Sequence, residues 1–298
     1  MAQIQTISGE PTEPVGGSPP LLARVRVALV LLVILLAPHA SFAAWQEVLP
    51  GLEFGIFAAR RKSVVNDSKI RILRADPQKW ALELVCARDH GEANRPARAW
   101  AERFDLVAAT NAGMFGTDGT THVGYLVAGT HENNTHVNGY RSAATFDPKT
   151  SDAPSFRIHD LEEPRRELES LAEAYETVIQ NLRLIKRPGR NRWSQQDKMW
   201  SEAALGEDDQ GRILFIFCRS PYTMHDLNEE LLGLGIGLVA AQHLEGGPEA
   251  QLFVAPLELE LVGSYETGFN ENDDNERAWD VPNVIGLVPR AQDDANAP

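Results

Sequence analysis

Short apolar runs with the residue types of β-strands recur along this chain, and polar or glycine-containing breaks separate them. In the run at 68–75, Ile70 and Ile72 alternate with basic residues. Such alternation predicts an antiparallel layer with one buried and one solvated face. Similar runs lie at 52–58, 80–87, 106–110, 123–127, 142–146, 177–185, 213–219, 237–244 and 283–288.

A few helices interrupt these strands. One is predicted at 95–104 with Asn94 as its cap, and a polar helix is predicted at 164–175. A third begins after Thr223, whose hydroxyl can cap the free amides of the first turn. The fold class is therefore α/β: a single mixed-sheet domain with a few helices, with function on the loops that follow strands.

A signal segment precedes this domain. The apolar run at 27–37 is too short to cross a bilayer comfortably, and Arg24 and Arg26 flank it. Ser41 and Ala43 supply the small residues that a signal peptidase reads, so cleavage is predicted after Ala43. An uncleaved anchor is the alternative. The prediction is a signal peptide at 1–43 and a domain at 44–298, exported to the periplasm or the extracellular space.

The charge of the chain excludes two classes of partner. The formal net charge is -14, and the leader at 1–43 contains two basic and two acidic residues, so the whole charge belongs to the mature domain. Such a surface repels nucleic acid and anionic lipid. No second apolar run is long enough to span a membrane, so no stable membrane span is expected after cleavage.

Cofactor chemistry finds little support in the sequence. Cys86 and Cys218 lie in separate strand-like runs, which leaves open one disulfide or two buried thiols. The absence of a CxxC pair argues against redox chemistry and a zinc ribbon. The acidic run at 270–276 alternates like a calcium loop but lacks the later ligand positions, so it is interpreted as a hydrated loop, with calcium as the alternative. No cofactor or metal is predicted.

Four loops place polar residues beside glycine or at a strand end. They are TNAGMFG at 110–116, IQNLRLI at 179–185, FCRSPYTMHD at 217–226 and HLEGGPEAQL at 243–252. Glycine at such a position lets a substrate approach the backbone closely.

Taken together and in this order, these loops resemble the phosphodiester glycosidase family, which includes many exported bacterial members. NAGMFG is similar to the family's Asn-Gly-Gly-Phe-Phe-like loop, IQNLRLI to its Gln-containing strand, and LEGGPEA to its Leu-Asp-Gly-Gly-Gly-Ser loop. The resemblance covers about residues 68–288. It departs at Glu245, where the family has Asp, and after Gln180, where Asn-Leu-Arg replaces Ser-Gly-Pro.

The resemblance implies hydrolysis of a sugar-1-phosphodiester, small or polymeric, at the glycosidic bond to phosphate. Arg219 is then expected to grip the phosphate, Glu245 to face the anomeric carbon, and His243 or His225 to move a proton. Other substrate-binding positions would be Asn111, Gly113, Gln180, Asn181, Arg183, Gly246 and Gly247.

Two further alternatives stay open from the sequence. The basic run at 183–192 is either a solvated loop or a device that steers an anionic substrate. The changes in the glycine loops also permit a non-catalytic module that binds phosphorylated envelope glycans.

Overall fold

The computed structural model describes residues 45–290. The predicted signal peptide, its cleavage site and the last eight residues of the chain lie outside this range. Among the described residues, no helix combines the length and the apolar character that a membrane crossing requires.

Eighteen strands and four α-helices build the described part of the chain. The strands are β1 Gln46–Leu49, β2 Leu52–Ala58, β3 Lys69–Ala75, β4 Trp80–Cys86, β5 Ala108–Asn111, β6 Leu126–Ala128, β7 His131–Asn134, β8 Ser142–Pro148, β9 Phe156–Asp160, β10 Tyr175–Asn181, β11 Arg183–Lys186, β12 Arg190–Asn191, β13 Trp200–Asp208, β14 Ile213–Tyr222, β15 Leu238–Gly246, β16 Gln251–Val254, β17 Leu259–Val262 and β18 Asn283–Pro289. The helices are α1 Ala87–His90, α2 Ala97–Arg103, α3 Pro164–Ala174 and α4 Met224–Gly233.

Three antiparallel sheets contain these strands. The largest runs in the order β1-β2-β3-β14-β13-β15-β11-β12, so β13 and its neighbours form its centre. The two smaller sheets have the orders β7-β6-β10-β8-β9 and β17-β16-β5-β18-β4. These sheets confirm the predicted mixed fold and the early antiparallel layer of β2 and β3.

The three sheets enclose one central core, to which each contributes buried apolar side chains such as Phe215, Phe146 and Leu252. One helix covers the outer face of each sheet. Leu227 and Leu231 of α4 pack on the large sheet, Trp100 of α2 packs on the β5-containing sheet, and α3 packs on the β10-containing sheet. Each apolar sheet face is therefore covered, as a layered fold requires.

Two predicted elements differ from the structure. The run at 177–185 is not one strand, because the chain leaves the β10 sheet at Leu182 and joins the large sheet as β11. Asn94 is not a helix cap: α2 is preceded by Pro96, and the Asn94 side chain instead donates to the carbonyl of Gly119 at 2.7 Å. In both places a tertiary contact overrides the local signal.

The two cysteines are free and buried. Cys86 faces the central core, whereas Cys218 faces α4 on the outer side of the large sheet. Of the two arrangements that the sequence allowed, the structure has the two buried thiols. Burial raises the pKa of Cys86 to about 12, so this thiol stays protonated and unreactive.

The cap of α4 forms as predicted, and this gives a test of the fold. The Thr223 hydroxyl oxygen accepts from the Asp226 N–H at 3.1 Å. We expect Thr223→Ala to lower the free energy of unfolding by about 1 kcal/mol, because one amide of the first turn loses its partner. Chemical denaturation measures the change. Thr223→Ser, which keeps the hydroxyl, should stay close to the original stability, and equal losses in both variants would contradict the capping role.

Candidate active site

The centre of the site is the end of β15, where it pairs with the start of β13. Glu245 lies opposite Ala203, but His243 lies opposite Ala204, so β15 carries one extra residue at this point. A bulge of this kind bends the strand and redirects its side chains. It brings His243 into contact with Glu202 of β13.

Glu202 and His243 form a buried hydrogen-bonded pair. His243 Nδ1 lies 2.7 and 2.9 Å from the two Glu202 carboxylate oxygens, and the exposed fractions of the two residues are 0% and 4%. The indole N–H of Trp200 donates to Glu202 Oε2 at 2.7 Å. Burial lowers the pKa of His243, but the Glu202 carboxylate outweighs it, so this pKa lies above its ordinary value. Because Glu202 occupies Nδ1, Nε2 is the ring nitrogen left for a substrate.

Glu245 carries the other unusual carboxylate. Burial raises its pKa to about 8, and the charges of Glu249 and Glu202 act in the same direction. The His243 charge and a 3.1 Å hydrogen bond from the Gly246 N–H offset the effect only in part. A carboxyl group that titrates close to neutral pH can exchange a proton during a reaction.

The two glycines after Glu245 are required by close packing. A Cβ on Gly246 would lie 2.7 Å from the Trp200 ring, and one on Gly247 would lie 2.7 Å from Glu266 Oε2. Gly247 also has a positive φ of 61°, which side chains rarely tolerate. The turn that follows Glu245 therefore fits tightly among its neighbours.

The amide residues predicted to bind substrate hold these loops together. Asn111 donates to the carbonyl of Glu249 at 2.9 Å and accepts from the Gln251 N–H at 2.8 Å. Gln180 donates to the carbonyl of Tyr140 at 2.9 Å, and Asn181 donates to the carbonyl of Ala112 at 3.0 Å. The loops at 110–116, 179–185 and 243–252 thus meet at one place.

Only one of these amides keeps a free atom. The buried oxygen Asn181 Oδ1 has no hydrogen-bond partner within residues 45–290. Gly113 packs over it, since a Cβ on that glycine would lie 2.5 Å from the same oxygen. Asn181 Oδ1 is therefore the one acceptor of this group without a hydrogen-bond partner in the described chain, and Gly113 leaves room for it.

Arg219 lies at the same end of the large sheet, but its guanidinium is already occupied. It donates to Asp273 Oδ1 at 2.7 Å and to the carbonyls of Val262, Asp273 and Asn275 at 2.8 to 3.0 Å. The structural partners are thus the end of β17 and the loop after it. To bind a phosphate, Arg219 would have to release these bonds, so we do not assign the phosphate to it.

A cleft of about 280 Å³ borders the site and contains three arginines. The His243 N–H donates to the carbonyl of Leu182, which lines the cleft, at 2.9 Å. Arg183 faces Asp160 at 3.4 Å. Arg141 donates to the backbone carbonyl of Glu162, and neither Arg141 nor Arg192 forms an ion pair with a carboxylate in residues 45–290. The cleft is lined by Gly139, Tyr140, Arg141, Leu182, Arg183, Arg192, Trp193 and Ser194.

The remaining predicted positions have structural partners. His225 lies on α4, and its Nδ1 is 2.7 Å from the carbonyl oxygen of Trp193. In the basic run, Lys186 pairs with Glu162 and Arg187 pairs with Glu207, both at 2.5 Å. At 45–290 no group of three or more His, Cys, Asp or Glu side chains is placed to hold a metal ion.

Comparison with known proteins places the chain in a family. The phosphodiester glycosidase family model matches residues 104–288, more than half of the sequence. The chain belongs to the phosphodiester glycosidase family. This confirms the resemblance of the four loops, and the match includes the site at the end of β15.

Solved structures show the same fold at low sequence identity. The catalytic domain of zebrafish N-acetylglucosamine-1-phosphodiester alpha-N-acetylglucosaminidase, in a form auto-inhibited by its pro-peptide, is 14% identical with a TM-score of 0.58; the match covers 83% of this chain and 87% of that domain. A hypothetical protein from Synechocystis is 13% identical with a TM-score of 0.53, over 81% of this chain and 62% of that one. No curated protein matches the sequence significantly.

Sequence reasoning missed Glu202 and Tyr140. Glu202 lies next to Trp200 in a strand of small residues, and an acid inside such a strand is a signal of a buried polar contact. Tyr140 precedes β8; burial together with the Glu245 charge raises its pKa, which places it near the site. Neither residue belongs to the four loops at 110–116, 179–185, 217–226 and 243–252.

The Glu202–His243 pair gives a direct titration test. In Glu202→Gln the negative charge is lost while burial remains, so we expect the pKa of His243 to fall. NMR titration of the His243 ring measures it. Glu276→Gln, which removes an exposed carboxylate, should leave the titration unchanged. An unaltered His243 pKa in Glu202→Gln would show that the carboxylate does not control the imidazole.

Proposed function

We propose that this protein hydrolyses a sugar-1-phosphodiester, breaking the bond between the anomeric carbon and the phosphate oxygen. Membership of the phosphodiester glycosidase family supports the reaction class. The observation that carries the proposal is the arrangement of Glu245, whose pKa is about 8, beside a buried Glu–His pair and a cleft with two unpaired arginines.

Glu245 is the proposed general base. Its carboxylate takes a proton from water while the water oxygen bonds to the anomeric carbon and the electron pair of the broken C–O bond stays on the phosphate. A raised pKa makes the carboxylate a stronger base than an ordinary glutamate, and catalysis is most efficient when this pKa is close to the working pH.

The departing phosphate needs positive charge more than it needs a proton, since it is already a good leaving group. The Glu202 carboxylate raises the pKa of His243, so this ring takes up a proton more readily than a free imidazole and can then donate from Nε2. Arg192 can bind phosphate oxygens, because it forms no ion pair with a carboxylate in the described chain, and Arg141 can do so with the N–H groups that do not bond to the Glu162 carbonyl. Arg183 would contribute if it released Asp160.

The role of Glu202 is to position and charge His243. It does not touch the substrate in this proposal, and its carboxylate is enclosed by His243 and Trp200. A carboxylate that orients an imidazole in this way fixes which nitrogen faces the substrate. The predicted signal peptide leads us to infer that the reaction takes place outside the cytoplasm.

The test uses purified protein with an N-acetylglucosamine-1-phosphodiester, and it follows free sugar and free phosphate separately. We expect sugar release, and we expect Glu245→Gln to reduce kcat by about 100-fold or more. Because a base must be deprotonated, kcat/KM should rise with pH through about 8, where Glu245 loses its proton, and should fall again at the higher pH where His243 loses the proton on Nε2. Glu260→Gln, an exposed change on β17, is the matched control.

Three results would contradict this function. One is a Glu245→Gln variant that retains activity within a few-fold of the wild type. Another is a kcat/KM profile with no rising limb toward pH 8, which would show that Glu245 does not act as a base. Binding of the phosphodiester by wild type without release of sugar would favour the non-catalytic binding module.

A further inference from the structure

Phe269 and Trp279 form an exposed aromatic pair. Their ring centroids are 6.0 Å apart at an interplanar angle of 78°, and the exposed fractions of the two residues are 62% and 39%. Within 45–290 the other exposed large apolar side chains are Ile56 and Val64, which do not belong to such a pair. Two adjoining exposed aromatic rings offer an apolar surface on which a ligand ring can stack.

Both aromatic residues are anchored next to the turn that follows Glu245. The Phe269 N–H donates to the carbonyl of Glu266, whose carboxylate packs against Gly247. The carbonyl of Trp279 accepts from Gln251 Nε2 at 2.6 Å, and the same nitrogen lies 3.3 Å from the carbonyl oxygen of Glu249. The pair therefore lies on the rim of the candidate site.

The contacts of Arg219 hold this rim in place. Its guanidinium bonds to the carbonyls of Asp273 and Asn275, and Asn275 Oδ1 lies 3.3 Å from the Trp279 indole nitrogen. A surface that is fixed before binding loses little conformational freedom when a ligand arrives. This assigns Arg219 a positioning role, distinct from the phosphate contact expected from the sequence.

The charge around the pair selects the kind of ligand. Between Phe269 and Trp279 lie four acidic residues, Glu271, Asp273, Asp274 and Glu276, and one basic residue, Arg277; Asp273 is paired with Arg219, so the segment stays negative. A phosphate would be repelled here, whereas the unpaired arginines lie in the cleft lined by Tyr140 and Trp193. The aromatic pair thus suits an uncharged ring whose apolar face can stack on it.

We propose that Phe269 and Trp279 form a subsite for a second, uncharged sugar ring. This rests on the function proposed above, in which the first sugar lies at Glu245 and its phosphate lies toward the arginine cleft. The substrate is then an oligosaccharide joined to phosphate through its reducing end, and not a single sugar. The second ring stacks on the aromatic pair while the bond to phosphate is broken at Glu245.

Calorimetric titration with N-acetylglucosamine and its β-1,4-linked di- and trisaccharides tests the subsite without hydrolysis. For wild type we expect the disaccharide to bind about tenfold tighter than the monosaccharide. Phe269→Ala and Trp279→Ala should remove this gain and leave monosaccharide binding unchanged. Trp279→Phe should keep most of the gain, and Ile56→Ala, an exposed apolar change on β2, should keep all of it.

The outcomes separate the subsite from the chemistry. Equal affinity for one, two and three rings in wild type, or a gain that survives both alanine changes, overturns the subsite. Thermal unfolding of each variant shows whether a loss of disaccharide affinity comes from misfolding. Trp279→Phe, which keeps an aromatic ring, gives a second check. If wild type binds the disaccharide more tightly than the monosaccharide but releases no sugar from the phosphodiester, the subsite stands and only the hydrolytic function is rejected.

Discussion

The hydrogen bond between Glu202 and His243 joins the two central strands of the large sheet at the point where the candidate chemistry lies. A carboxylate and an imidazole at this depth are costly to bury unless each satisfies the other. Their contact depends on the extra residue in β15, because the register change aligns His243 with Ala204 and brings it to Glu202. Glu245 lies on the same strand, where burial favours the protonated form of its carboxyl group.

Positive and negative side chains lie on different sides of this pair. The sequence is strongly acidic, yet within residues 45–290 Arg141 and Arg192 beside the cleft form no ion pair with a carboxylate, while Arg183, Lys186 and Arg187 are paired. On the other rim, the Arg219 guanidinium bonds to the acidic loop, and this loop lies between the two aromatic residues Phe269 and Trp279. An anionic end and an uncharged end of one substrate would each find a matching surface.

Much of the fold was accessible from the sequence because local patterns agree with the final packing. Alternation predicted β3, and the Thr223 cap predicted the start of α4. Strand β13 was missed, since its small residues are flanked by Glu202 and Glu207, and acids rarely occupy a central strand. Tertiary contacts stabilise these acids inside the strand: Glu207 accepts from the Ile158 N–H at 2.8 Å and pairs with Arg187.

The site was only partly accessible for the same reason. Glycine-containing loops mark where the backbone must approach its neighbours, and they led to Gly246 and Gly247. A strand acid such as Glu202 becomes recognisable only when the register places it beside His243. For Arg219, the sequence predicts phosphate binding from its place at a strand end, but only the structure shows the loop that its guanidinium contacts.

The most direct test of the account is the fate of the oxygen atom from water. Hydrolysis of a sugar-1-phosphodiester in ¹⁸O-labelled water, followed by mass spectrometry of the phosphate product, shows which bond breaks. Attack at the anomeric carbon, as Glu245 is proposed to promote, predicts a phosphate product free of label. Label in the phosphate would show attack at phosphorus and would contradict the role assigned to Glu245.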